Sequence, residues 1–293
     1  MKQLNRITPQ ASAHWVGDGF PVRNLISIPR DAEHASPFLM LDFAGPQHFA
    51  PASVPRGVGE HPHRGFETVT IVYQGEVAHR DTTGNSGVIG PGDVQWMTAA
   101  AGVLHDEFHS PAFSRQGGTL EMAQLWVNLP ARDKLGEPAY QAIGAAQIPE
   151  VVLPENAGSL RVIAGEYAGA QGPARTHSPM NVWDLRQNAG GHAAFTLPEG
   201  WTTLLVVLRG EVTVGGQLIQ TAQTGHFSRG GTGLAVTVGQ DSQVLLLSGA
   251  PLNEPIAHYG PFVMNTKQEL IAAIEDFNSG RFGRLADQSA PMP

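Results

Sequence analysis

Short runs rich in Val, Ile, Thr and aromatic residues alternate with turns that contain Gly or Pro, from residue 20 to about residue 130. Such runs are typical of β-strands, and the turns between them indicate hairpins. A second region repeats the pattern. The segments predicted as strands are FPVRNLISI, PFLMLDF, ETVTIVYQGEVAHRD, DVQWM and MAQLWVNLP in the first region, and LRVIAGEY, MNVWDLR, WTTLLVVLRGEVTV and SQVLLLSGAP in the second. An all-β chain is therefore predicted.

The two regions align with each other. VYQGEV in the first matches VLRGEV in the second and places Gly75 on Gly210, with Gly92 and Gly225 marking a later turn in each. Repeated β units of this size predict two small barrels. Residues 131–158 between them are mostly Ala, Gly, Pro, Gln and charged residues, so a boundary is expected there. We predict an N-terminal domain over residues 1–135 and a C-terminal domain over residues 150–293.

A helix is predicted near the C-terminus. Thr266 with Glu269 three residues later forms a capping box. The residues that follow place four apolar side chains on one predicted helical face, namely Leu270, Ile271, Ile274 and Phe277. We expect this face to pack on a barrel.

The amino-acid composition excludes several classes of functional site. The 293-residue chain has no cysteine, which excludes disulfides, thiolate nucleophiles and sulfur-ligated metals. Its net charge is −8 without a basic cluster, so no direct nucleic-acid binding is expected. No apolar run is long enough to span a membrane, and the N-terminal residues lack the apolar core of a secretion signal. A cytoplasmic location without membrane partners is therefore predicted.

The stretch HPHRGFE carries the candidate chemistry. His61, His63 and Glu67 share one parity, so they share a face if the strand stays regular. The later HDE segment supplies His105 and Glu107, again of matched parity. If hairpins bring these strands side by side, three imidazoles and one or two carboxylates meet inside one barrel. Such a set favours a divalent first-row metal with positions left for substrate or oxygen, and spacing alone leaves the carboxylate ligand open.

The blocks HPHRGFET and PGDVQWMTAAAGVLH, together with QLWVNLP, resemble the pirin family of the cupin superfamily. The resemblance implies two cupin (jelly-roll-like) β-barrel domains facing each other, with a C-terminal helix and one metal in the N-terminal barrel. By position, it implies His61, His63, His105 and Glu107 as the metal ligands. Glu67, the carboxylate that a general cupin would use, then becomes either a pocket residue or a residue that supports a metal ligand.

The same resemblance implies one divalent metal per chain. Iron(II) is expected, and nickel, manganese, cobalt, copper and zinc are compatible with these ligands. The C-terminal barrel is expected to be metal-free. Its positions equivalent to the ligands and to Glu67 carry no imidazole or carboxylate, being Thr196, Pro198, Thr202, Val238 and Gln240.

The resemblance implies two functions. The first is a quercetin 2,3-dioxygenase-like enzyme that acts with dioxygen on a flavonol or similar enolic small molecule, with Glu107 or Glu67 as the base. The second is a redox-sensing regulator that binds a protein partner, either a transcription factor or a metabolic enzyme.

Other polar and aromatic residues near these motifs receive plainer interpretations. Arg64 is predicted to face away from His61 and His63. It would either form a surface ion pair or support a carboxylate that binds the metal. His79 and Asp81 are predicted to be solvated, and His109 to be exposed. The neighbouring apolar side chains are predicted to be barrel core, namely Phe66, Trp96 and Met97.

Overall fold

The computed structural model describes residues 1–285, and β-strands form most of its regular structure. The first part of the chain contains, in order, β1 (Leu4–Ile7), β2 (Ala13–Val16), β3 (Phe20–Ile26), α1 (Ile28–Ala35), β4 (Phe38–Phe49), β5 (Gly57–His63), β6 (Phe66–Gln74), β7 (Val77–Asp81), β8 (Ser86–Ile89), β9 (Val94–Thr98), β10 (Val103–His109), α2 (Pro111–Gln116), β11 (Gly118–Asn128) and β12 (Ala139–Ile143).

The second part contains β13 (Glu150–Leu153), β14 (Gly158–Ala164), β15 (Glu166–Tyr167), β16 (Ala170–Gln171), β17 (Met180–Gln187), β18 (His192–Thr196), β19 (Thr202–Arg209), β20 (Glu211–Val214), β21 (Gln217–Gln220), β22 (Gln223–Phe227), β23 (Gly233–Thr237), β24 (Ser242–Gly249), β25 (Ala257–Tyr259), β26 (Phe262–Met264) and α3 (Lys267–Asn278). Within residues 1–285, no helix is both long and apolar enough to cross a membrane.

The chain forms two compact units. The N-terminal barrel comprises Ala13–Arg23, Met40–Ala145 and residues 253–285. Its seven-stranded sheet has the order β12-β9-β6-β11-β4-β3-β2, and its four-stranded sheet the order β5-β10-β7-β8. Apolar side chains from both sheets share one core, among them Val72, Val77, Ile89 and Leu120. The strands predicted from residues 20 to 130 are therefore confirmed.

The C-terminal barrel comprises Met1–Ser12, Asn24–Leu39 and Ala146–Leu252. Its sheets have the orders β1-β22-β19-β24-β17-β14-β13 and β18-β23-β20-β21, which repeat the pattern of the N-terminal barrel strand by strand. Gly75 and Gly210 hold equivalent turns, with φ values of 80° and 76° that favour glycine. The predicted duplication of a small β-barrel is confirmed.

The observed division of the chain differs from the predicted bounds in two places. Strand β1 lies within the predicted N-terminal domain, yet it pairs with β22 of the C-terminal barrel through Leu4 opposite Phe227. Helix α3 lies within the predicted C-terminal domain, yet it belongs to the N-terminal barrel, where it packs on Leu104 and Phe262. Backbone pairing and apolar burial act between segments that are distant in sequence. Position in the sequence therefore assigned both β1 and α3 to the wrong barrel.

Helix α3 has the predicted capping box, since Thr266 accepts from the amide of Glu269 and the Glu269 side chain accepts from the Thr266 amide. The predicted apolar face is only partly right. Leu270 is buried, whereas Ile271 is 57% exposed. One residue rotates the side chain by about 100° around a helix, and this step carries Ile271 out of the buried stripe.

One predicted turn is wrong. Gly225 lies inside β22, and the left-handed turn residue before that strand is Ala222, with φ 61°. The amides of Gly92 and Ala222 make equivalent hydrogen bonds, to the carbonyls of Val72 and Val207. The turn is therefore preserved between the barrels although its glycine is not.

Candidate metal centre

Strand β5 carries the first two histidines and ends directly after them. At Gly65 the chain adopts φ 87°, and a Cβ there would lie 2.0 Å from the Val263 carbonyl oxygen. This tight turn sends the next strand, β6, into the other sheet of the barrel. His61 and His63 therefore stay on β5 while Glu67 lies on β6. The predicted common strand face of these three residues is wrong for Glu67, because the strand does not continue through Gly65.

Strand β10 lies between β5 and β7 and brings the remaining candidates to the first pair. His105 lies opposite His61 on β5 and opposite Asp81 on β7. One nitrogen from each of His61, His63 and His105 lies within 4.8 Å of the other two. The structure thus brings the three predicted histidines together. Glu107 falls into a second, overlapping group with His79 and His105, again within 4.8 Å.

The hydrogen bond of His61 fixes which ring nitrogen is available. Its Nδ1 lies 2.8 Å from the carbonyl oxygen of Gly59. Because a carbonyl only accepts, Nδ1 carries the proton, and the lone pair of a neutral ring is on Nε2. A metal bound by His61 would therefore be held through Nε2.

A chain of hydrogen bonds fixes His105 in the same way. Asp81 Oδ2 lies 3.2 Å from His79 Nε2, and His79 Nδ1 lies 3.2 Å from His105 Nδ1. The carboxylate accepts from His79 Nε2, so His79 Nδ1 is an acceptor and His105 Nδ1 donates to it. The lone pair of His105 is left on Nε2. This atom is buried, and within residues 1–285 it has no hydrogen-bond partner.

Asp81 is itself held by the turn after β7. Its Oδ1 accepts from the Thr83 amide at 2.9 Å, the Thr83 hydroxyl at 2.6 Å and the Asn85 amide at 3.1 Å. Burial opposes ionisation, but the hydrogen bonds from His79 and Thr83 hold the pKa of Asp81 below its usual value. The end of this hydrogen-bonded chain is therefore a fixed carboxylate.

Two interpretations of nearby histidines from sequence are wrong. His79 is fully buried and stacks on Tyr140 with the ring planes 17° apart, so it is not a solvated strand residue. Asp81, predicted to be solvated with it, is also buried. His109 is buried too, and its Nε2 hydrogen-bonds the carbonyl of Gly19 at 3.0 Å. Strand parity identified residues that share a face, but it did not show that this face points inward.

The electrostatics of the histidine group suit a metal. Burial lowers the pKa values of His63 and His105 well below their usual range, and the neighbouring imidazoles lower them further. Both rings are therefore neutral at neutral pH, which is the form that binds a metal. The unpaired Nε2 of His105 is also an orphaned buried acceptor that a metal would satisfy. These residues fit one divalent first-row metal.

A cavity of 310 Å³ adjoins His61 and His63, and its wall includes the acidic residues Glu107 and Asp42. Glu107 accepts hydrogen bonds from Gln124 Nε2 at 2.8 Å and from the Thr70 hydroxyl at 3.4 Å. Glu67 is not in this wall, and its Oε1 accepts from the Thr98 hydroxyl at 2.7 Å. The rest of the wall is mostly apolar and includes Phe20, Val22, Met40, Val58, Met122 and Trp126.

Arg64 fixes the segment between the ligands and the helix rather than lying at the surface. It is 6% exposed, pairs with Asp276 of α3 at 2.9 Å and lies over the Phe282 ring. The predicted surface ion pair is thus a nearly buried one. The expected core residues are confirmed as buried, namely Phe66, Trp96 and Met97.

Comparison with known proteins identifies similar chains. The family model described as Pirin matches residues 19–127, and the model described as Pirin C-terminal cupin domain matches residues 182–283. "Putative quercetin 2,3-dioxygenase PA2418" of Pseudomonas aeruginosa is 58% identical over 284 residues, covering 97% of this chain and 99% of that protein. Pirin of Homo sapiens is 36% identical over 275 residues, covering 91% of this chain and 89% of that protein.

Among solved structures, the crystal structure of a quercetin 2,3-dioxygenase from Acinetobacter baumannii matches with a TM-score of 0.95 and 53% identity. The match covers 98% of this chain and all of that one. The similarity therefore extends over both barrels.

Proposed function

Because the chain belongs to the pirin family of cupin proteins, we propose that it is a metal-dependent dioxygenase of the quercetin 2,3-dioxygenase type. The proposed substrate is a flavonol or a similar enolic compound. The observation that supports this most is the apolar cavity, whose wall includes His61, His63 and the carboxylate of Glu107. Ligand pockets of this kind combine apolar walls with a few convergent polar groups.

We propose His61, His63, His105 and Glu107 as the residues that hold the metal. The three histidines are supported by their mutual distances and by the free Nε2 lone pairs of His61 and His105. When bound, a divalent metal such as iron(II) would supply Lewis acidity and electron transfer for the reaction with dioxygen. Nickel, manganese, cobalt, copper and zinc fit the same nitrogen and oxygen donors.

Glu107 is the proposed proton acceptor. Its carboxylate lies in the cavity wall and is oriented by Gln124 and Thr70. An enolic hydroxyl that enters the cavity would give up its proton to this group before it reacts with oxygen. Glu67, the other candidate base, is bonded to Thr98 and lies outside the cavity wall. The geometry therefore supports Glu107 in this role.

The apolar wall would bind the aromatic rings of the substrate and exclude water. Phe20, Val58, Met122 and Trp126 supply this surface. The volume of 310 Å³ lies at the small end of ligand pockets, which span about 300–1,000 Å³. Cleavage of the central ring of a flavonol with release of carbon monoxide is the expected reaction.

The test is anaerobic reconstitution with iron(II), followed by quercetin and oxygen, with flavonol absorbance and carbon monoxide as readouts. We expect turnover that is lost in His61→Ala together with the metal. Glu107→Gln should also lose turnover, whereas Glu67→Gln, a matched change outside the cavity wall, should retain it. One tightly bound metal without turnover on any flavonol would instead support a regulatory protein whose metal controls binding to a protein partner. A chain that binds no metal would refute both functions.

A further inference from the structure

The C-terminal barrel has a cavity of its own, separate from the candidate metal centre. It measures 480 Å³ and lies where β1, the end of α1 and the end of β22 meet. Its wall is rich in nitrogen donors and includes Asn5, Arg6, His34, His226, Ser228 and Arg229. No carboxylate is among its lining residues within the described chain. This is unusual in a chain whose net charge is −8.

The arrangement follows from strand pairing. Arg6 of β1 lies directly opposite His226 of β22, and directly opposed residues project from the same face of a sheet. Arg6 Nη2 lies 3.2 Å from His226 Nε2. Burial lowers the pKa of His226 to about 4, reinforced by the charge of Arg6, so this ring is neutral at neutral pH. The positive charge in the wall therefore comes mainly from arginine.

One buried carboxylate lies behind the wall, and its hydrogen-bonding capacity is already used. Asp31 of α1 is fully buried and accepts from Arg6 Nη2 at 2.5 Å, from Arg30 Nε at 2.9 Å and from the Ser27 amide at 2.9 Å. It orients the Arg6 guanidinium, but it shares its single charge between two arginines. The three positive charges of Arg6, Arg30 and Arg229 therefore exceed the single negative charge of Asp31.

Donors remain available in the cavity. Arg6 uses only Nη2, so its Nε and Nη1 make no hydrogen bond within residues 1–285. Within the same residues, Arg229 uses only Nη2, which donates to the main-chain carbonyl of Glu33 at 3.1 Å. A guanidinium presents its donors in a planar fork that matches the oxygens of a carboxylate or phosphate. Two such forks line one cavity beside the side-chain amide of Asn5.

We propose that this cavity binds a small organic dianion, a dicarboxylate or a phosphate ester, through Arg6 and Arg229. The ligand oxygens would accept from the guanidinium groups, and the side-chain amide of Asn5 would complete the hydrogen bonds. The proposal is independent of the metal centre, because it uses only residues of the C-terminal barrel. It assigns a binding role to the barrel whose interior is filled by apolar side chains.

The test is isothermal titration of the purified full chain with two probes, succinate and inorganic sulfate. The key variant is Arg229→Gln, because this side chain makes one hydrogen bond to a main-chain carbonyl and its loss should not affect folding. Arg229→Lys keeps the charge without the fork. The matched control is Arg186→Gln, an exposed arginine on β17 of the same barrel. His61→Ala separates binding here from binding at the metal centre.

We expect at least one probe to bind the unmodified chain. Its affinity for Arg229→Gln should be at least about tenfold weaker, and Arg229→Lys should restore only part of that loss. Arg186→Gln and His61→Ala should bind as the unmodified chain does. Arg6→Gln should weaken binding as well, with circular dichroism checking that it remains folded. The proposal would be overturned if neither probe binds, if Arg229→Gln binds as tightly as the unmodified chain, or if Arg186→Gln loses as much affinity as Arg229→Gln.

Discussion

Asp81→Asn should impair metal binding although Asp81 is not a proposed ligand. The substitution keeps the size and shape of the side chain and replaces one oxygen by an NH₂ group. Four donors from Thr83 and Asn85 converge on Oδ1, so the amide oxygen of Asn must take that position. The NH₂ group is then directed at His79 Nε2, where the carboxylate oxygen lay 3.2 Å away.

The substitution therefore reverses the hydrogen-bonded chain. His79 Nε2 becomes an acceptor, its proton moves to Nδ1, and that N–H donates to His105 Nδ1. A neutral His105 then carries its own proton on Nε2, the atom that we propose binds the metal. To restore the Nε2 lone pair, His105 has to place an N–H against the N–H of His79, across a distance of 3.2 Å.

The cost can be estimated from this clash. Both rings are fully buried, and a buried donor without an acceptor costs about 1–3 kcal/mol. A value of about 2 kcal/mol corresponds to a roughly 30-fold weaker metal affinity. This agrees with the 10–100-fold losses that are typical when the partner of a metal-binding histidine is removed.

The assay is competition for cobalt(II) with a coloured chelator, with the visible spectrum of cobalt reporting its coordination. Urea unfolding of the metal-free variants separates affinity from stability. The control is Asp106→Asn, which lies one residue from His105 but bonds to Arg80, on the opposite side of the strand. We expect Asp106→Asn to lower stability without changing the cobalt affinity. If Asp81→Asn binds cobalt as tightly as the unmodified chain, or if both variants lose affinity equally, the proposed proton arrangement is wrong.

Three further predictions concern stability, each measured by urea unfolding. Burial lowers the pKa of Lys134 from 10.5 to about 7. Between those pH values the unfolded chain binds one more proton than the folded chain, so the free energy of unfolding should rise with pH by up to about 1.4 kcal/mol per pH unit. Lys134→Met should remove this slope, and an unchanged slope would contradict the prediction. Leu270→Ala should cost about 2 kcal/mol or more, whereas Ile271→Ala, at a mostly exposed position, should cost under about 0.5 kcal/mol; equal losses would refute the observed helix face. Gly65→Ala should cost more than Gly84→Ala, since both have φ near 88° but only Gly65 has a carbonyl 2.0 Å from the new Cβ; similar values would mean that this contact relaxes freely.

The sequence predicted much of this structure because local patterns carry it. Alternating β-rich runs and Gly or Pro turns gave most of the long strands, and VYQGEV with VLRGEV gave the duplication. The capping box gave the start of α3. The domain bounds could not be obtained in this way. They depend on β1 joining a sheet whose other strands follow residue 148, a pairing that no local pattern encodes.

The candidate site shows the same limit on a finer scale. Parity placed His61 with His63 correctly, but it extended their strand through Gly65 to Glu67, where the chain turns into the other sheet. Parity also paired His79 with Asp81, yet gave no sign that their face points inward. The register of β10 decides this, because it sets Glu107 opposite His79. The role of a histidine such as His79 can therefore be interpreted only when the pairing register of its strand with β10 is known.

Comparison of the two barrels shows that only a few residues of the fold form the candidate metal site. Strand β10 and its counterpart β23 occupy the same place in equivalent sheets. In β10 the buried positions include His105 and Glu107, whereas in β23 they are Leu234 and Val236. The apolar pair extends a continuous core, while the polar pair can be buried only because Asp81, His79, Thr70 and Gln124 satisfy it. A metal site in this fold thus requires a second layer of hydrogen-bonding residues, and changing the inward residues of a few strands is enough to remove both layers.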